Sequence, residues 1–408
     1  MKKESGTQLS DGWKTVVAKN FEEIEAIRPI WEQMQCNEPY PVPNADIDRY
    51  LSVVKMSCDS VQPFVMLMKH NGFPAAMIIG RIEKHQINLR LGYKTLLKPA
   101  LKCLSVVYGG ILGQPKSDLC SLLVDELMRQ LRSGEVDMVF FNHLRTNTHF
   151  YRAVREIPSF LNRGYLPKVE NHWYMSVPET LASFYQSCSA SSRKQYKKCI
   201  KRLERAFLGQ VRVQTYSQEN HLDEAIKYAS QISTTSYQYS IGCGFMDNSH
   251  TRTLLATSAR KKWLRIHVLF VGDEACAFEV WLKYGRTYFG DGMGFDPKWK
   301  KWRVGTVLFL KTIESICADP DVDSVDFGFG DAAYKRSYGS KRWDEASVYI
   351  FAMRLYPAFI NVLQSSIEAL NLGFEYVVKK IGAIDWIKRR WRNMLLTKNP
   401  GSKRGMGK

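Results

Sequence analysis

The sequence predicts an α/β protein with mixed sheets, built from two copies of one unit and followed by a C-terminal helical extension. Three observations predict it. A strand–helix–strand pattern runs from Arg286 to Phe327, and a fainter copy of it runs through residues 64–142. An apolar content of 45% over 408 residues is that of a globular chain too long for one ordinary core.

In the first copy, Phe64 to Met68, an Asn71-Gly72 turn and Ala75 to Gly80 read as a hairpin. Ser105 to Gly110 reads as a strand ending in glycines. A helix from Leu119 to Leu131 and a strand from Asp137 to Asn142 then repeat the crossover. Thr146 to Tyr151 falls where a polar turn closes the second copy. The competing reading is chance likeness between two βαβ units. The repeat divides the chain into residues 12–170 and 180–355, amphipathic helices over 356–395, and a basic, disordered tail over 396–408.

The second copy opens on a cationic helix. Residues 191–207 carry Arg193, Lys194, Lys197, Lys198, Lys201, Arg202 and Arg205, with Leu203 and Phe207 completing a narrow apolar stripe. Such a run is either a solvated face or a grip on an anionic acceptor. Trp263 to Phe270, a Gly272-Asp273-Glu274 turn and Ala275 to Tyr284 form a hairpin. Arg286 to Phe295 is a strand that ends in Gly290, Gly292 and Gly294, and Val304 to Cys317 is a mostly apolar helix. Asp319 to Asp323, with Pro320, breaks that helix before a strand from Ser324 to Phe327. Strand, helix and strand in this order imply a parallel pair with a right-handed connection. Glu345 to Arg354 is a final strand.

The helix at 304 starts on Arg303-Val304-Gly305-Thr306, behind Lys298, Lys300 and Lys301. Unpaired amides at a helix start, with cations nearby, suit a phosphate or pyrophosphate. An ordinary helix start behind a solvated loop fits equally. After the last crossover strand come Gly328, Gly330, Asp331, Tyr334 and Lys335. Glycines let backbone approach a ligand, and titratable groups at a parallel strand's carboxyl end stand where open sheets bind ligands. The bland alternative is a tight turn with a polar edge.

Net charge is +18, from 58 Lys and Arg against 40 Asp and Glu. That bias suits CoA, nucleic acid, anionic lipid or acidic glycans, and does not choose among them. Nine cysteines without a CxxC pair argue for a reducing compartment and against a disulfide framework or zinc site. Eight histidines show no metal-ligand spacing, so no metal is expected. A polar start without a signal peptide, and no long apolar run, predict a cytoplasmic chain. Phe359, Ile360, Val362, Leu363, Ile367 and Leu370 mark a C-terminal amphipathic helix. Trp386 and Trp391 beside Lys388, Arg389, Arg390 and Arg392 suit peripheral contact with an anionic membrane, as well as simple packing.

Residues 180–352 resemble the GNAT-superfamily branch labelled cellulose-biosynthesis CelD-like or BcsL-like acetyltransferases, related to the Fem aminoacyltransferases. Four segments carry the resemblance in order: Ser191 to Lys198 with Arg202-Leu203-Glu204, Phe295-Asp296-Pro297, Val304-Gly305, and Asp326-Phe327-Gly328 with Gly330-Asp331 and Tyr334-Lys335. Val304 stands where proline is common, and the usual superfamily loop of Gln or Arg with two spaced glycines is absent.

The resemblance implies tandem GNAT-like acyl-CoA N-acyltransferase domains, the first of them noncatalytic. Acetyl-CoA or a longer acyl-CoA would be the co-substrate, held by Arg303, Val304, Gly305 and Thr306. Asp291 is the first expected general base, with Asp331 second and Glu279 third. Tyr334 would protonate the leaving thiolate, and Lys335 would hold acceptor carboxylate or phosphate, or steady developing negative charge. The acceptor would be a small molecule or glycan precursor of the cell envelope. Two other readings stand beside this one: Fem-like transfer from aminoacyl-tRNA, and a noncatalytic anion- or membrane-binding module.

Overall fold

The computed structural model describes residues 6–8, 12–92, 94–236, 239 and 244–380. The first elements are β1 (Gly6–Gln8), β2 (Trp13–Ala18), α1 (Phe21–Cys36), α2 (Ile47–Met56), β3 (Val61–His70) and β4 (Phe73–Gln86). Then come β5 (Leu89–Leu91), β6 (Lys94–Leu97), β7 (Ala100–Leu112), α3 (Ser117–Arg132), β8 (Met138–Arg145) and α4 (His149–Glu156). They are followed by β9 (Val169–Ser176), α5 (Leu181–Ser187), α6 (Ala190–Ala206), β10 (Val211–Tyr216), α7 (Leu222–Thr234) and α8 (Ser249–Arg260). The chain continues through β11 (Leu264–Val271), β12 (Glu274–Tyr284), β13 (Thr287–Phe295), α9 (Val304–Cys317), β14 (Ser324–Phe329), α10 (Ala333–Tyr338), β15 (Lys341–Phe351) and α11 (Leu355–Lys380).

These residues fall into two compact units, one running to Glu170 and resuming at Asp344, the other Asn171–Trp343. In the first, the strand order is β1-β2-β3-β4-β7-β8-β15, antiparallel except for the β7–β8 pair. Strand alternation divides its core. Leu104, Val139 and Ile350 point to one face, under Leu123, Leu127 and Leu131 of α3. Their neighbours Cys103, Met138 and Phe351 point to the other, under Ile360 and Ile367 of α11. Each such buried aliphatic side chain stabilises the fold by about 1.5–3 kcal/mol.

The second unit repeats the plan. Its strand order is β9-β14-β13-β12-β11-β10, with β13 and β14 the parallel pair. Helices α6 and α9 cover one face, over Leu269, Trp281, Val325 and Phe327. Helix α7 packs against β11, β12 and β13. The basic helix buries Tyr196, Cys199 and Leu203 at spacings of three and four, so its apolar stripe extends further toward its start than Leu203 and Phe207 alone indicate.

The crossover helix spans Val304–Cys317 as its sequence predicts. The strands run longer than their apolar cores: Ser324–Phe329 continues through Gly328, and Lys341–Phe351 starts before Glu345 and stops short of Arg354. The C-terminal helix is continuous over Leu355–Lys380, whereas Trp386, Trp391 and the cations beside them lie outside the described residues. Every described cysteine is a free thiol. No helix among the described residues is long and apolar enough to cross a membrane.

Candidate functional site

In the second unit the parallel pair parts early. β13 and β14 are in register only from Thr287/Ser324 to Phe289/Asp326, although they continue to Phe295 and Phe329. Beyond that point β13 stays with β12 and β14 with β9, so a gap opens between their carboxyl ends. Three glycines line the β13 side. A Cβ on Gly290 would meet the Trp281 ring at 3.3 Å and the Asp326 carbonyl at 3.6 Å, whereas one on Gly292 would meet nothing within 4 Å. In open α/β sheets, the carboxyl ends of parted parallel strands are where ligands bind.

Asp291 sits on this edge as a bulge. Trp281 pairs with Gly290 and Val280 with Gly292, which leaves Asp291 outside the ladder and exposed. Asp331 is exposed after β14 and pairs with Arg336 Nη1 at 2.6 Å. It does not cap the helix that follows, since Ala332 is the N-cap and no side chain of the described residues bonds there. Lys335 Nζ donates to the Phe329 carbonyl at 2.6 Å, closing the turn on itself.

Tyr334 stands in an aromatic nest. Its ring meets Phe327 edge-on at 6.4 Å, Phe327 meets Trp281 at 6.4 Å, and Phe309 stacks on Tyr338 at 4.2 Å. Within reach of this nest lies Glu279, a fully buried carboxyl whose Oε2 accepts from Trp281 Nε1 at 3.0 Å and Thr312 Oγ1 at 2.8 Å. Burial pushes Glu279 up to about 7, against the pull of those two donors. Burial, and then the negative charge of Glu279, push the Tyr334 hydroxyl up to about 12. Tyr334 therefore keeps its proton at neutral pH.

The start of α9 is the third part. Arg303 has φ 58°, a left-handed conformation uncommon outside glycine, and no side chain among the described residues caps the helix. Its guanidinium lies against the Gln195 side-chain amide of α6. Val304 is buried. Gly305 also has a packing reason, since a Cβ there would press the Phe295 ring at 3.3 Å. Of the lysines ahead of the helix, Lys298 is paired with Glu274, and Lys301 lies over the Trp302 ring, which Arg202 of α6 also meets at 5.0 Å. Thr306 is half-buried in the first turn.

Two buried pairs escaped the sequence reading. His172 Nε2 meets Asp326 Oδ1 at 2.6 Å, both groups are buried, and the imidazole stacks on Trp343 at 4.4 Å. His267 is the cross-strand neighbour of Glu279. Its Nδ1 meets Thr215 Oγ1 at 2.8 Å, and its Nε2 has no hydrogen-bond partner among the described residues. Burial lowers His267 to about 4.

The first unit has a corresponding gap. β7 and β8 are in register from Cys103/Met138 to Val106/Phe141, and a cavity of about 500 Å³ opens beyond. Its lining includes Tyr108, whose hydroxyl meets the buried Glu345 carboxylate at 3.2 Å, and Arg145, which lies over the Tyr40 ring at 4.8 Å.

Residues 190–336 match the family described as an acetyltransferase (GNAT) domain. No curated protein matches the chain. Among solved structures it is similar to FemX, at 7% identity and a TM-score of 0.58, covering 82% of this chain and 98% of that one. A tandem GNAT protein from the clavulanic acid biosynthesis pathway matches at 10% identity and a TM-score of 0.47, covering 83% and 99%. L-PGS from Bacillus licheniformis matches at 13% and 0.42, covering 72% and 86%. The likeness to FemX is one of fold. The chain thus shares the fold of FemX, and the GNAT domain matched over residues 190–336 makes it an acyltransferase.

Proposed function

We propose that this acyltransferase moves an acetyl or longer acyl group from CoA to an amine or hydroxyl of a cell-envelope or polysaccharide precursor, in the manner of the CelD-like branch. The parting of β13 and β14 beyond Phe289 and Asp326, over bare glycine backbone, carries the reading. The thioester would lie in that gap. The CoA phosphates would take the start of α9, where the amides of Val304, Gly305 and Thr306 and the Arg303 side chain offer positive charge.

Asp291 is the proposed base. It takes a proton from the acceptor as the acceptor's nitrogen or oxygen attacks the thioester carbon, the C–S bond breaks, and Tyr334 donates its proton to the departing sulfur. Glu279 keeps the Tyr334 proton in place until that step. Asp331 and Lys335 would shape the turn that meets the acceptor's polar end. The first unit would carry no transfer chemistry, since it lacks the Asp, Tyr and Lys trio.

Calorimetry with acetyl-CoA and long-chain acyl-CoAs tests the donor. Binding of at least one, followed by release of free thiol with an acceptor, is expected. Failure of every thioester to bind would reject the reading. The cationic face of α6 favours a second reading, transfer from aminoacyl-tRNA, which retention of RNA without thioester binding would support. Thioester binding without turnover on any acceptor would point to a noncatalytic module.

A further inference from the structure

Among the described residues, the outward side of α11 covers no core. Leu355, Phe359, Val362 and Leu370 are 95%, 61%, 55% and 61% exposed and fall on one side of the helix, with Ser366 and Gly373 between and beyond them. Ile360 and Ile367, about a third of a turn round the helix, enter the core of the first unit. Beside the later half of this helix stands the β5–β6 hairpin. Asn371 joins the two, donating through Nδ2 to the Arg90 carbonyl at 2.7 Å and accepting the Gly92 amide at 2.7 Å. At the hairpin, Leu91, Leu96 and Leu97 are 45%, 46% and 56% exposed.

So much apolar side chain facing water on two joined elements marks an interaction surface. Its charge selects the occupant. Between Leu89 and Lys98 the charged residues are Arg90, Lys94 and Lys98, all exposed and all positive. A two-fold pairing of two copies would set these cations against each other, in a chain of net charge +18. An anionic bilayer surface satisfies both features at once.

We propose that α11 and the β5–β6 hairpin form a platform that seats the protein on an anionic lipid surface. The leucines, Phe359 and Val362 enter the headgroup boundary, and Arg90, Lys94 and Lys98 meet lipid phosphates. The proposal is independent of the acyl-transfer reading.

Sedimentation of the full chain with vesicles tests it. The protein should pellet with vesicles of equal parts phosphatidylglycerol and phosphatidylcholine and stay in solution with phosphatidylcholine alone. Leu96→Ser with Leu97→Ser, and separately Phe359→Ser with Leu370→Ser, should each weaken pelleting about tenfold or more. Arg90→Ala, Lys94→Ala and Lys98→Ala together should abolish the preference for anionic vesicles. The substituted side chains are exposed, so melting temperatures should stay near that of the parent; should one pair fail to fold, the other lies on a separate element. Three outcomes would overturn the proposal: no pelleting with either vesicle, pelleting unchanged in both serine pairs, or light scattering that shows a dimer which both pairs dissolve.

Discussion

Tyr334 and Glu279 lie 55 positions apart in sequence, yet the charge of one adds to burial in holding the proton of the other. If Tyr334 is the proton donor, Tyr334→Phe should lower kcat by about 10²-fold or more at unchanged melting temperature. Steady-state rates beside a thermal melt check this; a rate within a factor of two of the parent would remove the phenol from the chemistry. Asp291→Asn and Asp331→Asn separate the two exposed acids. The first should cost about 10²-fold in kcat. The second should cost less, because Asp331 already answers to Arg336 across the turn. The sequence names Asp331, Tyr334 and Lys335 because they follow one another after a strand. It offers no such signal for His172 and Asp326, whose pairing depends on β9 returning beside β14. It places Glu279 only third, because its burial depends on Thr312 arriving from α9.

Paired strands carry a second effect. On β11 and β12, His267 and Glu279 face each other with opposite proton linkage. Glu279 titrates near 7 when folded and near 4.5 in its unperturbed form, so its contribution to stability is full below 4.5 and is lost as pH rises through 7. His267 titrates near 4 when folded against 6.5 unperturbed, so its contribution is full above 6.5 and is lost as pH falls through 4. Between these limits the two slopes oppose. Glu279→Gln should leave the histidine slope alone, so that stability rises with pH by up to ~1.4 kcal/mol per unit, and His267→Gln should reverse the sign. Urea unfolding at several pH values across this window measures both.

Gly292 offers a steric test on β13. With nothing near its Cβ position, Gly292→Leu should fold normally but weaken acyl-CoA binding by about tenfold or more, since a side chain would then fill the gap. Calorimetry and a thermal melt decide it. Among the elements, α9 is legible in sequence because a continuous apolar run is bounded by Arg303 and an Asp-Pro break. Helices α1, α2, α7 and α8 and the β5–β6 hairpin are not, because their polar and apolar residues mix and tertiary packing decides their state.

At the scale of the molecule, charge should govern donor binding. With net charge +18 and an anionic co-substrate, affinity for acetyl-CoA should fall about tenfold between low and high salt. A pantetheine thioester without the nucleotide phosphates should lose little. Equal salt dependence for both would mean that the cations near Arg303 do not meet the phosphates. The tandem plan was legible as a repeat of hairpin, strand, helix and strand, and both units do contain a parallel pair that parts.

The pairing of β15 with β8 also sets an order of events during synthesis. Phe351 pairs with Met138 and Glu345 with Arg145, so a strand made near the end of the chain completes a sheet begun near its start. As the chain leaves the ribosome, β8 must wait while the whole of Asn171–Trp343 emerges, with one of its edges unfilled. The unit translated first is the last able to close. A nascent chain arrested shortly after Trp343 should therefore be protease-sensitive in its first unit, and gain resistance only once Phe351 has cleared the exit tunnel.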